Sequence, residues 1–203
     1  MKILTCKGET EWVEAINDWL RDRLRSTNSQ RLFVPAGETP RPLYENWQKK
    51  GAPFSRALKL VQIDEALTGF ELGVFRRFFE AQLPSYQNQF EYIEEAERGG
   101  DLAILGLGLN GHVAFHEPGF PKGFYSGCLS LNRETVEKLK WSPHTRVVSY
   151  GVGAFLKSKA ILLIVRGESK RSILNEILKA GCDRPAAWLK NHSDFTVITD
   201  FEL

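Results

Sequence analysis

The chain has 203 residues, 42% of them hydrophobic and 26% charged, with a formal net charge of +2. This length suits one well-packed domain spanning residues 1–203, and the composition is that of an ordinary globular protein. The small, dispersed positive charge argues against a nucleic-acid or membrane partner, and no run approaches the ~20 apolar residues of a membrane span.

The opening residues 1–7 form too short an apolar run for a signal peptide. Cys6, Cys128 and Cys182 are odd in number and unrelated in spacing. That pattern fits neither a disulfide framework nor a zinc site, so the expected setting is reducing and cytoplasmic.

Apolar runs predict strands at residues 3–6, 31–36, 59–63, 102–107, 146–150, 160–166 and 195–199. Between the first two, Trp12, Val13, Ile16, Trp19, Leu20 and Leu24 mark one face of a helix over residues 9–26. Further helices are predicted from Pro40 or Arg41 to Lys50, and over residues 73–83 and 170–180. Residues 117–131, rich in Gly, Pro and aromatics, are expected to form a long loop. Strands apolar throughout, such as 102–107, are buried on both faces. The predicted fold class is therefore α/β, a doubly wound and mostly parallel sheet flanked by helices (Rossmann-like).

In such a sheet, ligands bind beyond the carboxyl ends of the strands, and the unusual residues cluster there. After the second strand comes Gly37-Glu38-Thr39-Pro40. Thr39 is positioned to cap the next helix and Pro40 suits its first turn, so free N–H groups there would favour an anion. Glu38 is compatible with an anion only if its side chain turns away. The third strand runs into Asp64-Glu65. An isolated carboxylate pair is more often a cap or surface pair, but Asp64 could also be a desolvated general base.

The fourth strand gives the strongest signal: Gly106-Leu107-Gly108-Leu109-Asn110-Gly111-His112, followed by His116 and Glu117. A lone histidine is usually structural; here Asn110 and Glu117 are near enough in sequence to fix the tautomer of His112. His112-x-x-x-His116 has zinc spacing, but Gly111, Pro118 and Gly119 disfavour the regular helix it needs, so no metal is expected. Lys170, after Gly167-Glu168-Ser169, could reach an anion, although most lysines are solvated.

The run from Gly106 through Ala114-Phe115-His116-Glu117-Pro118-Gly119 resembles the signature of the glucosamine-6-phosphate deaminases (isomerases), which share their fold with 6-phosphogluconolactonases. The resemblance extends in order to Gly37-Glu38-Thr39-Pro40, Asp64-Glu65, Gly151-Val152-Gly153, Gly167-Glu168-Ser169-Lys170 and Pro185-Ala186-Ala187-Trp188-Leu189. It implies that Asp64 moves a proton between carbons 2 and 1 of an open-chain sugar. It further implies that His112, supported by Asn110 and Glu117, is the ring-opening acid/base, and that Gly37, Glu38, Thr39 and Lys170 bind phosphate. It implies no metal or organic cofactor and a small sugar phosphate as partner; a homo-oligomer is compatible with the sequence.

The sequence also departs from typical deaminases. Glu38 replaces a small residue, Ala66 an aromatic and His116 an asparagine, while 132–141 does not clearly present the arginine that deaminases use on phosphate. The expected activity is deamination and isomerisation of an amino-sugar 6-phosphate. Hydrolysis of a sugar-phosphate lactone and non-catalytic sensing of a sugar phosphate are the alternatives.

Overall fold

The computed structural model describes residues 1–94 and 98–203. In chain order it contains β1 (Lys2–Thr5), α1 (Glu9–Thr27), β2 (Arg31–Val34), α2 (Arg41–Lys50), β3 (Lys59–Gln62), β4 (Asp64–Ala66), α3 (Val74–Gln82) and β5 (Phe90–Glu91). There follow β6 (Leu102–Gly106), β7 (Ser126–Ser130), α4 (Arg133–Leu139), β8 (Arg146–Tyr150), α5 (Val152–Phe155), β9 (Ala160–Val165), α6 (Arg171–Leu178), α7 (Pro185–Trp188) and β10 (Phe195–Thr199).

Among the described residues, seven strands form a parallel sheet in the order β1-β10-β9-β6-β2-β3-β5. Because side chains alternate across a strand, consecutive residues feed opposite cores. Leu32 and Val34 pack with Trp12, Ile16 and Leu20 of α1 and with Leu43, Tyr44 and Trp47 of α2. Phe33 between them packs on the other face, in the core that holds Phe155 of α5, Leu174 of α6 and Ala186 of α7. Burial on both faces explains why these strands read as unbroken apolar runs. Among the described residues, no helix is long and apolar enough to cross a membrane.

Two expectations need correction. The strand at 146–150 lies outside the parallel sheet, in a second, antiparallel sheet of order β4-β8-β7. The segment 117–131 is not a single loop, since Ser126–Ser130 pairs along β8. β7 is exposed at Ser126, Cys128 and Ser130, with Leu129 buried beneath. One inward apolar residue in a polar, glycine-bearing run leaves almost no strand signal in the sequence.

The chain passes between the sheets at Ile63: β3 ends at Gln62 in the parallel sheet, and Asp64 opens β4 in the antiparallel one. A third apolar cluster, with Ala66, Phe115, Leu129, Val136 and Val147, holds α4 against the small sheet.

Candidate active site

Several strand ends converge on one cleft of about 310 Å³, large enough for a small ligand. Gly37, Glu38 and Thr39 line it after β2, Asp64 after β3, Gly108, Asn110 and His112 after β6, and Lys170 after β9. Seven of the eight expected site residues thus share one cavity; Glu117 does not line it.

The turn after β2 places Gly37 at φ +101°, a conformation natural only to glycine. No hydrogen bond occupies the N–H groups of Gly37, Glu38 or Thr39 among the described residues, so the start of α2 presents free donors to the cleft. The carboxylate of Glu38 is exposed and bound to Arg41 at 2.9 Å. Its charge is therefore matched by a cation beside the turn. Thr39 is not a helix cap: Pro40 occupies that position and, among the described residues, no side chain caps α2. With proline there and at the second helical position, the first turn has fewer N–H groups for a hydroxyl to satisfy.

Asp64 is 9% exposed and opens on the cleft. Burial, reinforced by the neighbouring Glu65 carboxylate, pushes its pKa up to about 7. A carboxyl so placed exchanges a proton near neutral pH, as a general base must.

His112 lies on a tight loop. Its own N–H donates to Asn110 Oδ1 at 3.2 Å, while Gly108 N–H donates to its carbonyl at 2.9 Å. Burial, then the nearby Lys170 and Lys138 charges, lower its pKa to about 4, so the imidazole is neutral at pH 7. Ala114, also on the cleft wall, adopts φ +53°, which turns the loop back on itself.

Asn110 thus supports His112 through the backbone, not through the ring. Glu117 does not fix the ring either: its Oε2 accepts from Asn132 N–H at 3.0 Å, at the cap of α4. Its Oε1 and the Nδ1 of His112 are both buried without a partner among the described residues. The turn at Val113–His116 carries Glu117 beneath α4 instead of toward the imidazole.

His116 is fully buried among Phe120, Phe124 and Trp188, and its Nδ1 accepts from Val152 N–H at 3.0 Å. It is a packing residue that ties the loop to α5. Among the described residues, no group of three His, Cys, Asp or Glu could hold a metal ion.

Lys170 is half-buried, with Nζ donating to Leu107 O at 2.5 Å. Desolvation, then repulsion from Lys138, lowers its pKa to about 8. Lys138 itself was not foreseen as a site residue. It lines the cleft from α4 together with Glu134, Thr135 and Leu139, and no hydrogen bond or ion pair holds it among the described residues. Positions i, i+1, i+4 and i+5 form one helical face. The available signal was the N-cap: Asn132 Oδ1 accepts from Thr135 N–H at 2.8 Å and begins α4.

The family model described as glucosamine-6-phosphate isomerases/6-phosphogluconolactonase matches residues 76–198. A glucosamine-6-phosphate deaminase of Streptococcus pneumoniae (strain 70585) is 27% identical over 231 residues, covering 100% of this chain and 97% of its own. One from Clostridium beijerinckii is 29% identical over 239 residues, covering 100% and 98%. Among solved structures, a monomeric glucosamine-6-phosphate deaminase superposes with a TM-score of 0.80 at 23% identity, covering 98% of this chain and 97% of the other. The 6-phosphogluconolactonase of Thermotoga maritima gives 0.73 at 20%, covering 98% and 99%. At these identities the superpositions speak to the fold, which is shared by both kinds of protein.

Proposed function

Because the chain belongs to the glucosamine-6-phosphate isomerase/6-phosphogluconolactonase family, we propose that it converts an amino-sugar 6-phosphate to a ketose phosphate and ammonia. The observation that carries this reading is Asp64: a buried carboxyl, pushed up to about 7, facing the same cleft as a neutral His112 and a half-buried lysine.

In this mechanism the phosphate binds the free N–H groups at Gly37–Thr39 and the ammonium groups of Lys170 and Lys138. That contact is remote from the reacting carbons and supplies orientation. His112 passes the proton needed to open the sugar ring. Asp64 takes the proton from carbon 2 and returns it to carbon 1, through an enediolate-like intermediate. The 2-amino aldehyde thereby becomes a ketimine at carbon 2, which water hydrolyses to the ketone and ammonia. Glu117 acts by holding the α4 cap.

The test is release of ammonia and fructose 6-phosphate from glucosamine 6-phosphate. Turnover by the wild type no higher than by Asp64→Asn would refute the proposal. One observation favours lactone hydrolysis as a second reading: among the described residues, Nδ1 of His112 has no hydrogen-bond partner and so no carboxylate on it, as for a histidine that activates water alone. In that case His112→Ala, but not Asp64→Asn, would abolish loss of 6-phosphogluconolactone above its spontaneous rate.

A further inference from the structure

Glu65 stands behind Asp64 on the same strand. Successive side chains of a strand point to opposite faces, so with Asp64 on the cleft Glu65 points into the protein. It is 3% exposed and all its hydrogen bonds are charge-assisted. Oε1 accepts from Ala66 N–H at 2.8 Å and Phe75 N–H at 3.0 Å. Oε2 accepts from Gln62 Nε2 at 2.9 Å and Arg76 N–H at 2.7 Å.

Two of these donors are the orphan amides of the first turn of α3. The residue at the cap position of that helix is Gly73, at φ +69°, which has no side chain to offer. Glu65, from a neighbouring strand, therefore does for α3 what a capping side chain would, accepting from its first-turn amides. Gln62, the last residue of β3, is held in turn by accepting from Ile93 N–H at 3.3 Å. One carboxylate thus joins the end of β3, the strand that carries Asp64, and the helix that brings Phe75 to the cleft wall.

We propose that Glu65 is a positioning residue for Asp64: it locks the Asp64-bearing strand against α3 and keeps a fixed negative charge behind the base. The inference rests on the reading of Asp64 as the base. A buried anion this close makes Asp64 a stronger base than desolvation alone would. The other charged or titratable side chains lining the cleft that Asp64 faces are Glu38, His112, Glu134, Lys138 and Lys170. On the α3 side, Arg76 pairs with Glu80 and stands over the Tyr92 ring; β8 brings Arg146, which is exposed.

The experiment is a carboxyl-carbon NMR titration of Asp64, assigned by its loss in Asp64→Asn, in the wild type and in Glu65→Gln. The glutamine removes the charge and leaves one oxygen where two accepted. The midpoint of Asp64 is expected to fall by about one pH unit, and the acid limb of any rate profile to move with it. A folded Glu65→Gln whose Asp64 titrates as in the wild type overturns the proposal. Should that variant not fold, Glu65→Asp keeps the charge on a shorter arm. Loss of hydrogen-exchange protection at the Phe75 and Arg76 amides, with kcat at least tenfold lower, is then expected; wild-type protection and kcat overturn the proposal. The titration needs no substrate, so a wrong assignment of the reaction would leave this result intact.

Discussion

The imidazole of His112 rests on the backbone of Gly108: a β-carbon added at that glycine would stand 2.3 Å from Nε2. The ring cannot keep its place if residue 108 has a side chain. Gly108→Ala is expected to lower kcat by roughly 100-fold through misplacement of the imidazole, with little change in melting temperature. Steady-state kinetics beside a thermal melt checks it; an alanine variant with wild-type kcat would show that the ring position is immaterial.

Asp64 binds its proton more tightly in the folded protein than in the unfolded chain. Its contribution is therefore most favourable below about pH 4 and declines as pH rises toward 7. Asp64→Asn removes the decline. The variant should be more stable than wild type by about 1–3 kcal/mol at pH 8, and the difference should shrink toward zero near pH 4. Denaturant unfolding at both pH values measures this, and a pH-independent difference would contradict the burial of the charge.

Lys170 carries its charge at pH 7 and loses it as pH rises through about 8. Affinity for a hexose phosphate should fall between pH 7.5 and 9 in the wild type. Lys170→Arg should hold its affinity across that range, because guanidinium stays charged. Lys170→Ala should weaken binding ~10- to 100-fold, and the more exposed Lys138→Ala only a few-fold. Calorimetry over the pH series would expose the opposite ranking.

Arg184 donates from Nη1 to the carbonyl of Asn110 at 2.8 Å and from Nε to Glu176 at 2.5 Å. It also covers Gly111, where an added β-carbon would meet its Cδ at 2.6 Å. The His112 loop is thus braced from α6 and the approach to α7. Arg184→Ala should cost about 1 kcal/mol of stability and lower kcat ~10-fold with KM nearly unchanged. A change confined to KM would mean that the brace serves binding instead.

The parallel sheet was legible because strands buried on two faces are continuous apolar runs, and α1 because six apolar residues repeat on one stripe. That Gly37, Asp64, Asn110, His112 and Lys170 share one cleft was legible for a related reason: each follows such a strand, and strand ends of a parallel sheet converge. The small sheet was not legible. β4 has three residues, β7 buries one apolar side chain, and their partner β8 looked like any parallel strand. Lys138 was missed with the helix that presents it. Glu117 was misplaced because nearness in sequence to His112 says nothing about which side of a turn a side chain leaves.

Ile63 is the point at which the chain leaves one sheet for the other, with Asp64 immediately beyond it. Lys170 is thereby anchored with the parallel framework and Asp64 stands where the two sheets join, whereas Glu134 and Lys138 come from the helix packed on the antiparallel annex. Asp64 and Lys170 can then diverge at a different rate from the residues on the outer wall. A transplant of residues 126–141 from a relative would exchange the outer wall while leaving the registration of the seven-stranded scaffold untouched. Under the proposed reading, substrate preference is an interchangeable part, fitted to a chassis that holds Asp64 still.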